Sequence, residues 1–302
     1  MTWRNVSDWA KGTPLTLRIA DFLGRGRGGL RFIDRVHRPP APPHKPSLAK
    51  WRRCELAAIW IGHATVLLRI GGMSVLTDPV FSNRIGLGLG LMTGGPRRFF
   101  APALSLRELP RIDLIIVSHA HFDHLDRPTL NRLDKRTPVI TSEHNSDLIA
   151  DLGFAHISEM RWGESLRIGR VKLTARKVKH WGARTFYDQH RGFAGFLIES
   201  GKRRVLFAAD TAYCDYFRDI GSIDLAIFGI GAYDPYVAAH ATPEQAWKMA
   251  SEIPAERLLP VHHSTFRLSH EAMAEPMHRL LAAAGDETHR VVVREIGGQW
   301  GI

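Results

Sequence analysis

The feature that most constrains this chain is a cluster of four metal-ligating side chains within six residues, His119-Ala120-His121-Phe122-Asp123-His124. The cluster directly follows the largely apolar run 112–117, which is typical of a buried strand. Side chains just past a strand still alternate, so His119 and His121 can face one metal while Asp123 and His124 face a neighbouring one. Burying these groups without a cation would leave their desolvation uncompensated. The segment therefore predicts a site for two divalent metal ions.

The donor atoms narrow the choice of metal. Imidazole and carboxylate groups suit zinc, and also manganese or iron. The two cysteines, Cys54 and Cys214, are far apart in the chain, which indicates neither a disulfide framework nor a closed thiolate zinc site. A metal site built from imidazole and carboxylate groups keeps open coordination positions. Two adjacent cations favour hydrolysis because they lower the pKa of a shared water.

Two similar halves surround the cluster. Each half has a predicted hairpin that ends at an aspartate and is followed by a buried strand. The hairpin strands are 56–70 with 73–77 and 193–199 with 204–209, the aspartates are Asp78 and Asp210, and the buried strands are 112–117 and 223–228.

Helices are predicted between and after these strands. Thr242-Pro243-Glu244-Gln245 is a helix start with an N-cap and a proline in the first turn. Further helices are expected over 126–133 and over 269–284, where Pro276 should interrupt the helix. Strand pairs that alternate with helices in two halves indicate an α/β fold, an αββα sandwich of two mixed β-sheets with outer helices.

The positive charge is concentrated at the amino end. Residues 1–53 hold twelve basic and three acidic side chains, whereas the remaining 249 residues carry a net charge of only +2. The proline-rich run 39–46 should be an extended strap, since proline fixes φ and removes backbone donors. We therefore expect a basic arm with a strap over 1–53 and a catalytic domain over 54–302.

The arm admits three interpretations. It can pack along the body with its arginines in solvent, lie on an anionic membrane surface, or bind nucleic acid. The nearly neutral body makes nucleic acid the least favoured partner. Without an export signal or a long apolar segment, we expect a cytoplasmic protein that could associate peripherally with the inner face of the membrane.

The cluster His119-x-His121-x-Asp123-His124 resembles the signature of the metallo-β-lactamase superfamily, whose fold is the duplicated αββα sandwich. Within it, the chain is most similar to the N-acyl-phosphatidylethanolamine-hydrolysing phospholipases D and their bacterial relatives. The similar stretches lie at 60–65, 77–82, 95–99, 180–181, 210–214 and 229–235.

The resemblance implies three further ligands. His180 would complete one metal site with His119 and His121, Asp210 would bridge both metals, and His262 would join the second metal. His263 is adjacent to His262, and spacing alone leaves either as the ligand.

Further residues are candidates for contact with substrate. His240 lies just before the helix start at Thr242, where backbone N–H groups favour phosphate, and is predicted to donate a proton. Asp123 should orient the nucleophile. The glycine-alternating segment 85–92 could form an apolar lid or pack on its own body, and Arg97 and Arg98 after it could bind a headgroup phosphate.

Three functions are consistent with these residues. The favoured one is a dinuclear metal-dependent phosphodiesterase of phospholipase D type, which would use a metal-bridging hydroxide on N-acyl-phosphatidylethanolamine-like lipids. The second is a metal-dependent lactonase, or another small-molecule hydrolase of the same superfamily. The third is a membrane- or nucleic-acid-binding protein that uses the basic arm.

Overall fold

The computed structural model of the chain describes residues 38–89, 92–185 and 187–302. Most of the basic arm, residues 1–37, therefore lies outside the described residues, as do Gly90 and Leu91 of the glycine-alternating segment. The proline-rich strap is described from residue 39 onward, and residues 39–46 form neither helix nor strand.

The described strands form two large sheets and a separate two-stranded ribbon. The first sheet contains β1 (Ala57–Gly62), β2 (Thr65–Ile70), β3 (Met73–Thr77), β6 (Leu114–Val117), β7 (Val139–Ser142), β8 (Ile157–Met160) and β15 (Gln299–Gly301). The second contains β9 (Ser165–Ile168), β10 (Val171–Arg176), β11 (Gly195–Ser200), β12 (Arg203–Phe207), β13 (Ile223–Gly229) and β14 (Ala255–Val261). The ribbon consists of β4 (Leu87–Leu89) and β5 (Met92–Gly94).

Both large sheets are mixed, and each repeats the same unit. In the first, the β2–β3 hairpin is followed by β6, which pairs in parallel with β3. In the second, the β11–β12 hairpin is followed by β13, which pairs in parallel with β12. The predicted duplication and the α/β sandwich are therefore confirmed.

Alternation along the strands separates two hydrophobic cores. In β12, Val205 and Phe207 belong to the core between the two sheets, whereas Leu206 between them belongs to the core under the outer helices. The same alternation holds in β13, where Leu225 and Ile227 face the first sheet. Successive side chains of a strand point to opposite faces, so the second sheet is covered on both sides.

Two longer helices cover the outer face of the second sheet, α3 (Pro243–Glu252) and α4 (Glu275–Ala284). Helix α3 begins with the expected N-cap, where the Thr242 side chain accepts from the Gln245 backbone and the Gln245 side chain accepts from the Thr242 backbone. Both bonds satisfy donors that a helix start leaves free. This cap fixes the point at which the loop carrying His240 enters the helix.

One predicted helix boundary is wrong. Helix α4 starts at Glu275 rather than at 269, because Pro276 occupies the first turn, where a missing N–H costs nothing, instead of interrupting a longer helix. Helix α1 (Leu48–Arg53) buries Trp51 in the main hydrophobic core. The end of the predicted arm thus packs on the folded domain, and the division at residue 53 stays a prediction.

The short α2 (Arg127–Leu130) falls within the helix expected over 126–133. Among the described residues, no helix has both the length and the hydropathy needed to cross a bilayer.

Candidate metal centre

The predicted ligands come together beside the ends of several strands, and two further side chains, His63 and Asp78, join them. His63 follows β1, Asp78 follows β3 and residues 119–124 follow β6, all from the first sheet. From the second sheet, His180 follows β10, Asp210 follows β12 and His262 follows β14. Strands β3 and β6 pair in parallel, so their carboxyl ends lie at the same edge of the first sheet. Strands β12, β13 and β14 are also parallel, so their carboxyl ends lie at the same edge of the second sheet.

Three imidazoles converge as a first ligand set. Nε2 of His119 lies 2.8 Å from Nδ1 of His121, and Nε2 of His180 lies 3.3 Å from the same atom. All three side chains and Asp210 bring a ligand atom within 4.8 Å of one another. Tetrahedral zinc with Zn–N bonds of about 2.1 Å separates its ligand atoms by roughly 3.4 Å, which is close to this spacing.

A second ligand set lies on the other side of Asp210. Nε2 of His124 and Nε2 of His262 are 3.5 and 3.3 Å from Oδ2 of Asp123. Oδ2 of Asp210 lies 3.1 Å from the same two nitrogen atoms and 3.8–3.9 Å from Nε2 of His180 and of His119. A single carboxylate oxygen therefore faces both ligand sets.

The structure also separates His262 from His263. His262 adopts a left-handed backbone conformation, φ 62°, and directs Nε2 to Asp210. The ring of His263 packs 4.6 Å from that of Trp60, and its Nδ1 lies 2.9 Å from Oγ of Ser264. Of the two alternatives that spacing left open, the geometry favours His262.

Outer hydrogen bonds orient the ligating rings. Oδ2 of the fully buried Asp78 lies 2.6 Å from Nδ1 of His124, and the same carboxylate accepts from the backbone and the hydroxyl of Ser118. Nδ1 of His180 lies 2.9 Å from the carbonyl oxygen of Ala239. These contacts on the far ring nitrogen leave Nε2 directed into the centre, as in many protein metal sites.

Burial keeps the first set of imidazoles neutral in the metal-free chain. It lowers the pKa of His121 to about 3 and that of His180 to about 4, and it holds the pKa of His119 well below its ordinary value. A cation binds the lone pair of a neutral imidazole, so these side chains are already in the binding form at neutral pH.

Charge is concentrated in the second set. Burial would lower the pKa of His262, but the carboxylates of Asp210 and Asp123 outweigh it and raise the value to about 9. Burial would likewise raise the pKa of Asp210, but His124 and His262 hold it well below its usual range. Asp210 is therefore ionised, and metal-free protein stores a proton on the facing imidazoles.

The residues present fit a pair of divalent cations. Three buried atoms that face the centre make no hydrogen bond within the described part of the chain: Nε2 of His124 and of His262, and Oδ2 of Asp210. A buried polar atom without a partner destabilises the fold, and a cation bound at the Asp210 carboxylate would supply the missing partner. Seven nitrogen and oxygen ligands without a thiolate suit open, catalytic coordination.

Comparison with known proteins agrees with this geometry. Residues 74–263 match the family model described as Beta-lactamase superfamily domain. The chain belongs to the metallo-β-lactamase superfamily. A solved metallo hydrolase from the archaeon Ignicoccus hospitalis shares the superfamily fold, with a TM-score of 0.60 and 18% identity over 82% of this chain and 98% of that one.

Two curated relatives are more similar in sequence. An uncharacterized protein of Mycobacterium tuberculosis is 32% identical over 272 residues, covering 86% of this chain and 72% of the relative. The N-acyl-phosphatidylethanolamine-hydrolyzing phospholipase D 1 of Caenorhabditis elegans is 32% identical over 248 residues, covering 74% of this chain and 68% of the relative. Family and site together make this chain a metal-dependent hydrolase of the metallo-β-lactamase superfamily.

The loop that carries the superfamily signature is held by one arginine. Nη1 of Arg184 donates to the carbonyl oxygens of Ala120 and Leu125, at 2.7 and 2.9 Å, on either side of His121, Asp123 and His124. The guanidinium also lies 4.0 Å from the ring centre of Phe122. Charge-assisted hydrogen bonds of this kind fix the loop at both ends.

The three residues predicted to contact substrate lie in different surroundings. His240 lies at the centre, with Nδ1 3.8 Å from Oδ2 of Asp210 and its side chain 14% exposed. Arg97 is exposed. Arg98 is buried, donates to the carbonyl oxygens of Val80 and Ser82 and lies over the Phe266 ring, which indicates a role inside the fold.

Sequence reasoning missed two residues of this metallo-β-lactamase site, Asp78 and His63. Asp78 ends the first hairpin just as Asp210 ends the second, so the duplication itself was a signal for it. Nε2 of His63 lies 2.9 Å from Oδ2 of Asp123. The only sequence signal for His63 is its position in a stretch similar to the phospholipase D relatives.

Proposed function

We propose that this chain is a dinuclear phosphodiesterase of phospholipase D type that acts on N-acyl-phosphatidylethanolamine-like phospholipids. The observation that carries the proposal is the single Asp210 oxygen that faces both ligand sets. A shared carboxylate holds two cations close enough to act on one phosphate group, and zinc is the ion that the nitrogen-rich donor set favours, with manganese and iron as alternatives.

The cations, when bound, would lower the pKa of a water between them and neutralise charge on a phosphoryl oxygen. Asp123 is the residue suited to orient that water. Burial would raise its pKa, but His124, His262 and His63 hold the value well below its usual range, so the carboxylate is ionised and accepts hydrogen bonds. Its side chain is 14% exposed and therefore reachable from the mouth of the site.

His240 is the candidate contact for the phosphate. Its ring lies 5.0 Å from that of His180 and 5.2 Å from that of His262, so it stands between the two ligand sets. Burial holds its pKa well below the ordinary value, which favours a neutral ring that donates one hydrogen bond over the proton donor expected from sequence.

Exposed apolar side chains on the ligand-bearing loops support a lipid substrate. Trp181 is 39% exposed, and its ring lies 4.4 Å from that of His121. Val237 is also exposed and precedes His240 in the same loop. Met273 is exposed too, and its carbonyl oxygen accepts a hydrogen bond from Ser264, which lies two residues after His262. Large exposed apolar groups at a site entrance favour acyl chains. Arg97 and the basic arm over 1–53 are proposed to meet headgroups of an anionic membrane surface.

The test combines metal analysis with two substrates. Purified protein reconstituted with zinc should contain about two metal ions per chain by plasma emission spectrometry. It should release p-nitrophenol from bis-p-nitrophenyl phosphate and phosphatidic acid from N-acyl-phosphatidylethanolamine vesicles, and a chelator should stop both reactions. The same assays are run on His240→Leu and on His156→Ala, an exposed histidine that serves as control.

We expect His240→Leu to keep both metal ions but to lose about 10²-fold or more in diester cleavage, since one preorganised donor contributes about that much. His156→Ala should match the parent. Ring opening of phosphorylated lactones without diester cleavage would instead support the lactonase. If deletion of the arm removed the main function while His119→Ala left it intact, the protein would act by membrane or nucleic-acid binding.

A further inference from the structure

His63 connects two loops that each supply a ligand of the second set. It lies between β1 and β2 with a left-handed backbone, φ 54°, and is 1% exposed. Its carbonyl oxygen accepts from the backbone N–H of His262, at 3.1 Å, and from Nε1 of Trp60, at 2.7 Å. Its own N–H donates to Oγ1 of Thr265 at 2.7 Å. The backbone of His63 is thereby bound to the loop that carries His262.

The side chain of His63 reaches the other ligand. Nε2 lies 2.9 Å from Oδ2 of Asp123, the oxygen that also faces His124 and His262. The ring packs 4.1 Å from the ring of His262 and edge-on against Phe266 at 5.3 Å. One residue therefore touches Asp123 through its side chain and His262 through both its backbone and its ring.

The hydrogen-bond geometry of His63 agrees with a donor role. Nδ1 is buried and has no hydrogen-bond partner in the described residues, whereas Nε2 faces the Asp123 carboxylate. A carboxylate can only accept hydrogen bonds, so the ring nitrogen that faces it is the one that donates.

We propose that His63 is a positioning residue for the second metal ion, whose Nε2–H holds the Asp123 carboxylate while its carbonyl group fixes the backbone of His262. The proposal rests on the two-ion assignment made under the proposed function and not on the identity of the substrate. Outer partners of this kind change metal affinity by roughly 10–100-fold when they are removed.

The experiment compares substitutions that keep or remove the donor. His63→Gln places an amide N–H at about the reach of Nε2, whereas His63→Leu fills similar space without a donor. His263→Leu is the matched control, since it removes a neighbouring buried histidine whose ring packs against Trp60 instead of Asp123. The two zinc dissociation constants of each variant are measured by competition with a chromophoric chelator, and the melting temperature is measured on metal-free protein.

We expect His63→Leu to weaken binding of the second zinc ion by about 10–100-fold and to leave the first within about threefold. His63→Gln should restore most of the loss, and His263→Leu should leave the second ion's affinity within about threefold of the parent. Equal weakening of both ions together with a lower metal-free melting temperature would assign His63 a general structural role and overturn the proposal.

Two further outcomes would also overturn it. An unchanged second dissociation constant in His63→Leu would show that Asp123 needs no such partner. A crystal structure of the zinc-loaded protein with Nε2 of His63 bonded to the metal would make His63 a ligand rather than a positioning residue. These readouts need no substrate, so they separate failure of this proposal from failure of the phosphodiesterase assignment.

Discussion

Replacing Arg184 with methionine should release the metal-binding loop and lower the stability of the metal-free domain. Nη1 of Arg184 donates to the carbonyl oxygens of Ala120 and Leu125, and the guanidinium lies over Phe122. A hydrogen bond to a charged group contributes about 1.5–3 kcal/mol. We take the lower value for each bond, because one nitrogen makes both and burial already lowers the pKa of Arg184 to about 10. The expected loss is then about 3 kcal/mol.

The assay is urea unfolding of metal-free protein followed by circular dichroism. The parent and Arg184→Met are compared with the same slope of the free energy of unfolding against urea concentration. Arg132→Met, at an exposed arginine, is the control and should change the free energy of unfolding by no more than about 0.5 kcal/mol. A loss below about 1 kcal/mol in Arg184→Met would refute the reasoning, because it would mean that water satisfies both carbonyl groups equally well. Both zinc ions should also bind more weakly, since the loop supplies ligands to each set.

Three further predictions concern the metal centre. Zinc at about 100 times its dissociation constant should stabilise the protein by about 2.7 kcal/mol and raise the melting temperature by roughly 5–10 °C, and a chelator should reverse this in differential scanning calorimetry; no shift would contradict a built site. Asp210→Asn should lose at least about tenfold in affinity for both ions, whereas a loss confined to one ion would show that the carboxylate is not shared. Gly231→Ala would place a Cβ 2.3 Å from the carbonyl oxygen of His262, so it should cost about 1–3 kcal/mol in urea unfolding, and wild-type stability would refute that contact.

Proton release offers a fourth test in solution. The pKa of His262 is raised to about 9 without metal, and zinc binds only the neutral ring, so binding must expel the proton held there. The apparent affinity of the protein for zinc should therefore rise with pH up to about pH 9. Calorimetry in two buffers of different ionisation enthalpy measures the released protons, and a buffer-independent heat would contradict the raised pKa.

Much of this arrangement could be predicted from sequence, because strand periodicity and a dense ligand cluster are local signals. The run 112–117 and the cluster after it are contiguous, so the strand and four ligands are visible together. Asp78 was missed because its role depends on β3 and β6 pairing in parallel, which brings it to Ser118 and His124.

Other structural features could not be read from the sequence, for different physical reasons. The position of Trp51 in the core depends on tertiary packing that the charge pattern of residues 1–53 does not reveal. Arg98 is basic and follows an apolar segment, which suggests a surface contact, yet its donors are used by main-chain carbonyl groups inside the fold. Charge alone does not tell whether an arginine faces solvent.

The position of the ligands on loops from both sheets has a consequence for local opening of the molecule. The second ligand set draws on loops after β6, β12 and β14, which lie far apart along the chain, so bound ions would cross-link the two halves at one edge of the sandwich only. Amide hydrogen exchange should therefore slow on metal loading around residues 119–124, 210 and 262, while the turns at the opposite strand ends, such as 71–72 and 201–202, exchange as before. The enzyme would then have one edge whose rigidity depends on its cofactor and one that is independent of it.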